Sequence, residues 1–300
     1  MAKPAPSANI VVEAQLKGHI TALESTVGGD VLSFVGLLAY GADDMVRSAI
    51  EELHTRKRRG KKLCLVLETP GGYIDVVERL VALLRHHYRR VEFIIPNFAK
   101  SAGTVLVMSG DALHMDYFSV LGPIDPQIEK PDGKMVPALG YLAKYEELLD
   151  KSREGKLTAV EAAYLIERFD PAEMHQYEQS RNLTITLLKD WLVRYKFRTW
   201  KSTETRGVKV TRQMKVRRAA QIAELLNDTK KWHSHSRGIS MEILRRKVGL
   251  RVEDFGANDE LKERITRYYL LLKDYRDKRA AEGVIHTRLR FIPLSFHKRA

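Results

Sequence analysis

Two short segments carry the residue types that could do chemistry: Glu68-Thr69-Pro70-Gly71-Gly72 and Ala99-Lys100-Ser101-Ala102-Gly103-Thr104. The first can supply backbone N–H groups, because glycine lets a peptide plane face a substrate without a Cβ in the way. The second can supply a serine hydroxyl among small neighbours. A hydroxyl opposite oriented amide hydrogens is the outline of a nucleophile with an oxyanion hole.

Each segment follows an apolar run that reads as a buried strand, Leu63–Leu67 before the first and Val91–Ile95 before the second. Each precedes a helical pattern, about 74–88 and 102–109. Two such turns can lie side by side at the carboxyl edge of one parallel sheet, where open α/β folds place their sites. Upstream, residues 10–19 read as a short helix after a loose tail. Residues 20–25 and 31–38 read as strands separated by Val-Gly-Gly-Asp. Asp43–Arg58 reads as a helix capped by Asp43 or Asp44, with a basic end at Arg56–Arg59 that suits the helix dipole. The alternation predicts an α/β fold with a mainly parallel sheet. From Pro137 the texture turns helical, with patterns over 141–149, 158–168, 171–195 and 212–227, then 240–248 and 258–274. Residues 196–211 read as a polar loop or arm, and the chain from Arg276 as a basic, loose tail.

The ordered set Leu67–Gly72, Ala99–Thr104 and Ser119-Val-Leu-Gly-Pro-Ile-Asp-Pro-Gln127 resembles the Clp protease proteolytic subunit / signal peptide peptidase A superfamily. Within it the chain is most like the branch called serine dehydrogenase proteinases. A weaker match lies at Trp232–Ser240, followed by Val248-Gly-Leu250. The resemblance implies a Clp/crotonase-type α/β fold with an added helical C-terminal region. It also implies peptide hydrolysis through an acyl-enzyme, with peptide or protein as substrate, a homo-oligomer, and no metal or cofactor. The expected organisation is a tail and short helix over 1–19, the α/β core over 20–140, a basic helical region over 141–230, and a segment over 231–300 that packs back on the core.

Ser101 is the expected nucleophile, at the N-terminus of the following helix, where unpaired N–H groups favour an oxyanion. Gly71, Gly72 and Ala102 are the expected oxyanion donors; one such donor is typically worth ~3 kcal/mol in the transition state. The general base has several candidates. The Clp-type branch pairs its serine with a histidine and an aspartate, yet the segment that would hold the histidine reads Gly122-Pro-Ile-Asp-Pro-Gln127. The other branch uses a lysine. Lys144 lies 43 residues after Ser101, roughly 100° from the centre of the Leu139/Leu142/Tyr145/Leu148 stripe. Partial burial there would favour the neutral amine that a base needs. Lys151 is a weaker candidate of the same kind. His235, beside His233, could reach Ser101 from the C-terminal part, with Asp125, held between two prolines, orienting it. The His-x-His pair has no further ligand cluster to suggest a metal. Lys100 is adjacent to Ser101, and its side chain diverges from it.

The single cysteine, Cys64, alternates into a strand and reads as a core thiol; it excludes an internal disulfide. No apolar run is long enough to span a bilayer, and the start of the chain has no secretory core, so a soluble cytoplasmic protein is expected. Charge is divided unevenly: residues 1–150 hold 17 Lys+Arg and 19 Asp+Glu, residues 151–300 hold 34 and 19. The excess, dense over 194–251, suits an anionic partner, either nucleic acid or a membrane surface. Two rival readings follow: a catalytically inactive scaffold that binds such a partner, and an acyl-CoA enzyme of the crotonase type, which shares the paired amides but has no need of Ser101.

Overall fold

Strands apolar at every position need cover on both faces, and the sheet of this protein has it. The computed structural model describes residues 7–55, 61–124, 127–129, 135–203, 205–232 and 237–295. Helix α1 (Ala8–Val27) leads into β1 (Asp30–Val35). Then α2 (Ala42–Thr55), β2 (Lys62–Glu68), α3 (Ile74–His87) and β3 (Arg90–Ile94) alternate. The short elements β4 (Phe98–Ala99), α4 (Ala102–Met108), β5 (Ala112–Met115) and β6 (Val120–Leu121) follow. A small hairpin, β7 (Gln127–Glu129) with β8 (Met135–Pro137), precedes α5 (Ala138–Arg153), α6 (Ala159–Arg168) and α7 (Pro171–Trp191). The chain continues through α8 (Arg212–Leu226), α9 (Thr229–Trp232), β9 (Ile239–Ser240), α10 (Met241–Ile243), β10 (Glu253–Asp254) and α11 (Asp259–Lys278). It ends on β11 (Gly283–His286) and β12 (Phe291–Leu294).

The main sheet runs β10-β5-β3-β2-β1-β11-β12. The first five strands are parallel, and β11 and β12 add antiparallel. Strand alternation sorts the side chains. Leu63, Leu65 and Leu67 of β2 join one apolar cluster with residues of α2, α3, α4, α7 and α8. Cys64 and Val66 join another, beneath α1 and α11. A second sheet, β4-β6-β9, stands beyond the carboxyl ends of the strands, with β4 parallel to β6 and β6 antiparallel to β9.

Several expectations are revised. Residues 20–25 are the second half of α1, not a strand, because Ile20 and Leu23 continue the buried stripe begun by Leu16. Gly28, in the left-handed region at φ 67°, caps that helix instead of turning a hairpin. A boundary at 19/20 would therefore cut a helix. The expected loose tail from Arg276 instead supplies the end of α11 and two strands. His286 pairs across to Ser33, and the two bury with Tyr268, whose hydroxyl is 2.7 Å from Ser33 Oγ and 2.7 Å from His286 Nδ1. The 171–195 pattern holds to Trp191 and then passes into a π-helical turn, Leu192–Lys196. The basic run Arg56–Arg59 lies outside the described residues. Helices α5 to α7 share a cluster of their own, Leu139, Leu142, Leu148, Phe169, Met174 and Tyr177. The α6 terminus is fixed by a reciprocal cap between Thr158 and Glu161.

Candidate active site

Ser101 sits where the chain leaves β4 and enters α4. Its backbone is at φ 51°, ψ −123°, a conformation that side-chain-bearing residues rarely adopt. Such a backbone costs about 1–3 kcal/mol and must be held by its surroundings. The hold is visible. Thr69 bridges Ala99 as in a parallel ladder: Thr69 N–H donates to Phe98 O at 3.1 Å, and Lys100 N–H donates to Thr69 O at 3.0 Å. Beyond the serine, Gly103 N–H donates to Lys100 O and Thr104 N–H to Ser101 O. A Cβ on Gly103 would fall 2.4 Å from Thr69 Cγ2, so only glycine lets the two turns approach this closely. The serine itself is 5% exposed.

The two turns therefore face each other. An added Cβ on Gly71, which is at φ +115°, would lie 2.9 Å from Lys100 O and 2.9 Å from Ser101 Cβ. The direction of the amides follows from planarity. Leu38 N–H donates to Gly71 O at 2.8 Å, so the Gly71 carbonyl points at Leu38. In a trans peptide the next N–H points the opposite way; Gly72 N–H is thus turned from Leu38 towards the β4 side, where Ser101 stands. The Gly71 N–H is engaged locally, donating to Thr69 Oγ1 at 3.1 Å. Gly72 N–H and Ala102 N–H have no acceptor among the described residues. Of the three amides, those of Gly72 and Ala102 have no such acceptor and that of Gly71 has one.

Thr104 ties the serine turn to the next loop. Its Oγ1 lies 2.9 Å from Ala99 O and 2.8 Å from Gly122 O, and it accepts Gly122 N–H at 3.1 Å. Gly122 packs directly on Lys100; a Cβ there would be 2.9 Å from the Lys100 Cβ. Leu121, one residue earlier, pairs with Ile239. Asp125 and His235 lie outside the described residues, but their flanks are anchored here. Ile124 N–H donates to Leu226 O at 3.1 Å, Trp232 is buried, and Gly238 abuts Val120.

The lysine candidates are placed differently. Lys144 is on the solvent side of α5, because Leu139, Leu142 and Leu148 take the buried stripe. Its ammonium pairs with Glu147 at 2.9 Å, and both side chains are 48% exposed. The expected partial burial is absent. Lys151 pairs with Glu161 at 2.7 Å and Glu147 at 3.4 Å. The hydrogen bond to Glu161, then that to Glu147, raises its pKa, against the need of a base. Lys100 Nζ lies 5.4 Å above the Phe98 ring.

Sequence reasoning missed the residues that brace the site. Thr69 and Thr104 stood in the motifs, but their partners are loops that only the fold brings together. Glu68 is buried at the end of β2, where its carboxylate accepts from Asn97 Nδ2 at 3.0 Å and from Tyr269, with Lys273 Nζ at 3.4 Å. It thereby pins α11 to the strand that leads into Gly71-Gly72. Cys64 is the core thiol that its alternation suggests; burial pushes it up to about 12. Among the described residues no group of His, Cys, Asp or Glu is arranged to hold a metal, and no helix is long and apolar enough to cross a membrane.

Residues 39–157 match the family described as ClpP-like SDH-type serine proteinases, which bears out the superfamily resemblance of the motifs. Two uncharacterized proteins of Methanocaldococcus jannaschii are similar over part of their length. MJ1495 is 34% identical over 89 residues, covering 29% of this chain and 30% of that protein. MJ0137 is 34% identical over 70 residues, covering 23% and 24%. This chain thus spans less than a third of those relatives. Among solved structures, it is similar to the 1510-N membrane-bound stomatin-specific protease. A serine-to-alanine mutant of that protease gives a TM-score of 0.45 at 14% identity, covering 78% of this chain and 82% of the other. A lysine-to-alanine mutant in complex with a substrate peptide gives 0.39 at 16%, covering 75% of each.

Proposed function

We propose that this protein is a serine peptidase that cleaves peptide bonds through an acyl-enzyme at Ser101. The observation that carries the reading is the apposition of a strained serine and the Gly71-Gly72 bend, with two unengaged amides beside it. Ser101 Oγ attacks the scissile carbonyl carbon and passes its proton to the base. The carbonyl oxygen, now negative, is held by Gly72 N–H and Ala102 N–H. The C–N bond breaks, the base returns the proton to the leaving amine, and water then hydrolyses the ester by the same route in reverse. Ala102 is buried, and a donor held away from bulk water is worth more than one in it.

His235, oriented by Asp125, is the base in this reading. Its support is the anchorage of Ile239 beside Leu121 and Gly122, which stand against Lys100. Four residues of chain span no more than ~14 Å, a length that lets this reading bring His235 to the serine. Lys144 has a carboxylate partner and an exposed position instead. The substrate is a peptide or an unfolded segment of protein. A homo-oligomer that shields the site belongs to this reading through the family resemblance.

A fluorophosphonate probe followed by peptide mapping tests the assignment. The reading expects one labelled peptide, containing Ser101, and no label in Ser101→Ala. Label elsewhere, with equal intensity in the variant, would remove the proposal.

A further inference from the structure

Residues 194–218 hold ten Lys+Arg and one Glu. The structure gives this run a shape. Residues 201–203 and 208–210 form a short β-ribbon: Ser202 bridges Lys209 antiparallel, Val210 N–H donates to Lys201 O at 2.9 Å, and Thr203 N–H donates to Val208 O at 2.9 Å. Gly207, at φ +60°, turns the tip, and Thr203 Oγ1 accepts Val208 N–H at 3.0 Å. The ribbon runs directly into α8, where Thr211 Oγ1 accepts Met214 N–H. At the other end, α8 is rooted in the core by Ala219, Ile222, Ala223 and Leu226. A hydrogen-bonded ribbon continuous with a helix rooted in the core is a held element, not a loose arm.

Helical arginines and lysines are commonly tied one turn away, as Arg47 to Glu51, Arg246 to Glu242, Arg267 to Glu263 and Lys278 to Asp274. Lys201, Arg206, Lys209, Arg212 and Arg217 are all exposed, and none meets a carboxylate among the described residues. Concentrated like charge is self-repelling and is relieved by an anionic polymer.

The residue types around the cations select the polymer. Residues 201–218 contain no aromatic side chain. Single-stranded nucleic acid is held by stacking its bases on aromatics, and a membrane surface is held by aromatic or large apolar anchors beside the charge. Here the exposed apolar groups are Val208 and Val216. A duplex needs neither, because its phosphates are read from outside, and its major groove admits a two-stranded ribbon. We infer that the ribbon and the first turns of α8 form a docking surface for double-stranded nucleic acid, gripping phosphates without reading sequence. This surface is independent of the serine chemistry.

The test is fluorescence anisotropy of the full chain with a labelled duplex of about 24 base pairs, titrated between about 50 and 200 mM salt. Five phosphate contacts predict a log–log salt slope of about −4.5. Arg206→Glu/Lys209→Glu/Arg212→Glu should weaken binding at least tenfold at the lowest salt and flatten the slope by about 3. Lys17→Glu/Lys262→Glu/Arg279→Glu, three exposed positions on α1, on α11 and just beyond α11 with the same change in net charge, should stay within about threefold. Circular dichroism checks each fold, and Arg206→Gln/Lys209→Gln serves if the triple variant misfolds. Equal losses in both variants, no binding by the parent, or preferential binding to a single strand or to phosphatidylserine vesicles would overturn the inference. Ser101→Ala should bind the duplex as the parent does.

Discussion

A methyl group on Gly71 would stand 2.9 Å from Ser101 Cβ and 3.3 Å from its Oγ. The glycine is thus the floor on which the serine hydroxyl rests, and it is there because nothing larger fits. Gly71→Ala should reduce peptide turnover at least a hundredfold while unfolding cooperatively, with a loss of about 1–3 kcal/mol from the strained backbone. Gly41→Ala is the control, since Gly41 is at φ +88° with open space around it. It should lose similar stability and keep its turnover. Full activity in Gly71→Ala would mean the two turns are not in contact during catalysis.

The positive φ of Ser101 makes an unusual stability prediction. Elsewhere, glycine in place of alanine costs about 0.5–1 kcal/mol through the unfolded chain. At this position glycine also releases about 1–3 kcal/mol of backbone strain. Ser101→Gly should therefore be at least as stable as Ser101→Ala by urea denaturation, and by as much as about 2 kcal/mol more. A clearly less stable glycine variant would show that the turn is not strained.

Two single substitutions separate the candidate bases. His235→Ala should lower kcat by about a thousandfold or more, as loss of a triad member does. Lys144→Ala should change kcat by less than about twofold, because it removes an exposed ion pair of small worth. The opposite ranking would assign the proton transfer to Lys144.

His286 predicts a pH dependence of stability away from the site. Burial pulls its pKa down to about 4, from 6.5. The unfolded chain therefore binds a proton that the folded one refuses between those values. The stability is complete above pH 6.5 and is lost as pH falls towards 4, by ~3 kcal/mol in all. His286→Gln should flatten that part of the urea-midpoint profile between pH 4 and 6.5. An unchanged slope would assign the acid sensitivity to other groups.

Much of this was legible in the primary structure, and the gaps have physical reasons. The buried strand β2 reads directly, since a parallel strand covered on both faces is apolar through its interior; β3 reads although Glu92 interrupts it. The turns bearing Gly71 and Ser101 read from their small residues. The second half of α1 was lost because Ile20 and Leu23, a helical stripe, also look like a short strand in isolation. Strands β11 and β12 were lost because Arg288 and Arg290 make the segment look like a solvated tail. Those charges in fact meet Glu24, Asp30 and Glu52, far away in the chain. Thr69, Thr104 and Glu68 could not be ranked before the fold, because each acts through a partner on another loop or helix. The partial burial expected of Lys144 turned on a matter of angle: a residue at the edge of a stripe turns either way, and the Glu147 carboxylate one turn on draws it outward.

The central claim is that the hydroxyl at position 101 is the attacking group. Its most direct test is turnover of a quenched fluorescent peptide library by the parent and by Ser101→Ala, purified identically and matched by circular dichroism. The account predicts hydrolysis by the parent and a loss of about a thousandfold or more in the variant. Equal hydrolysis by both would contradict it.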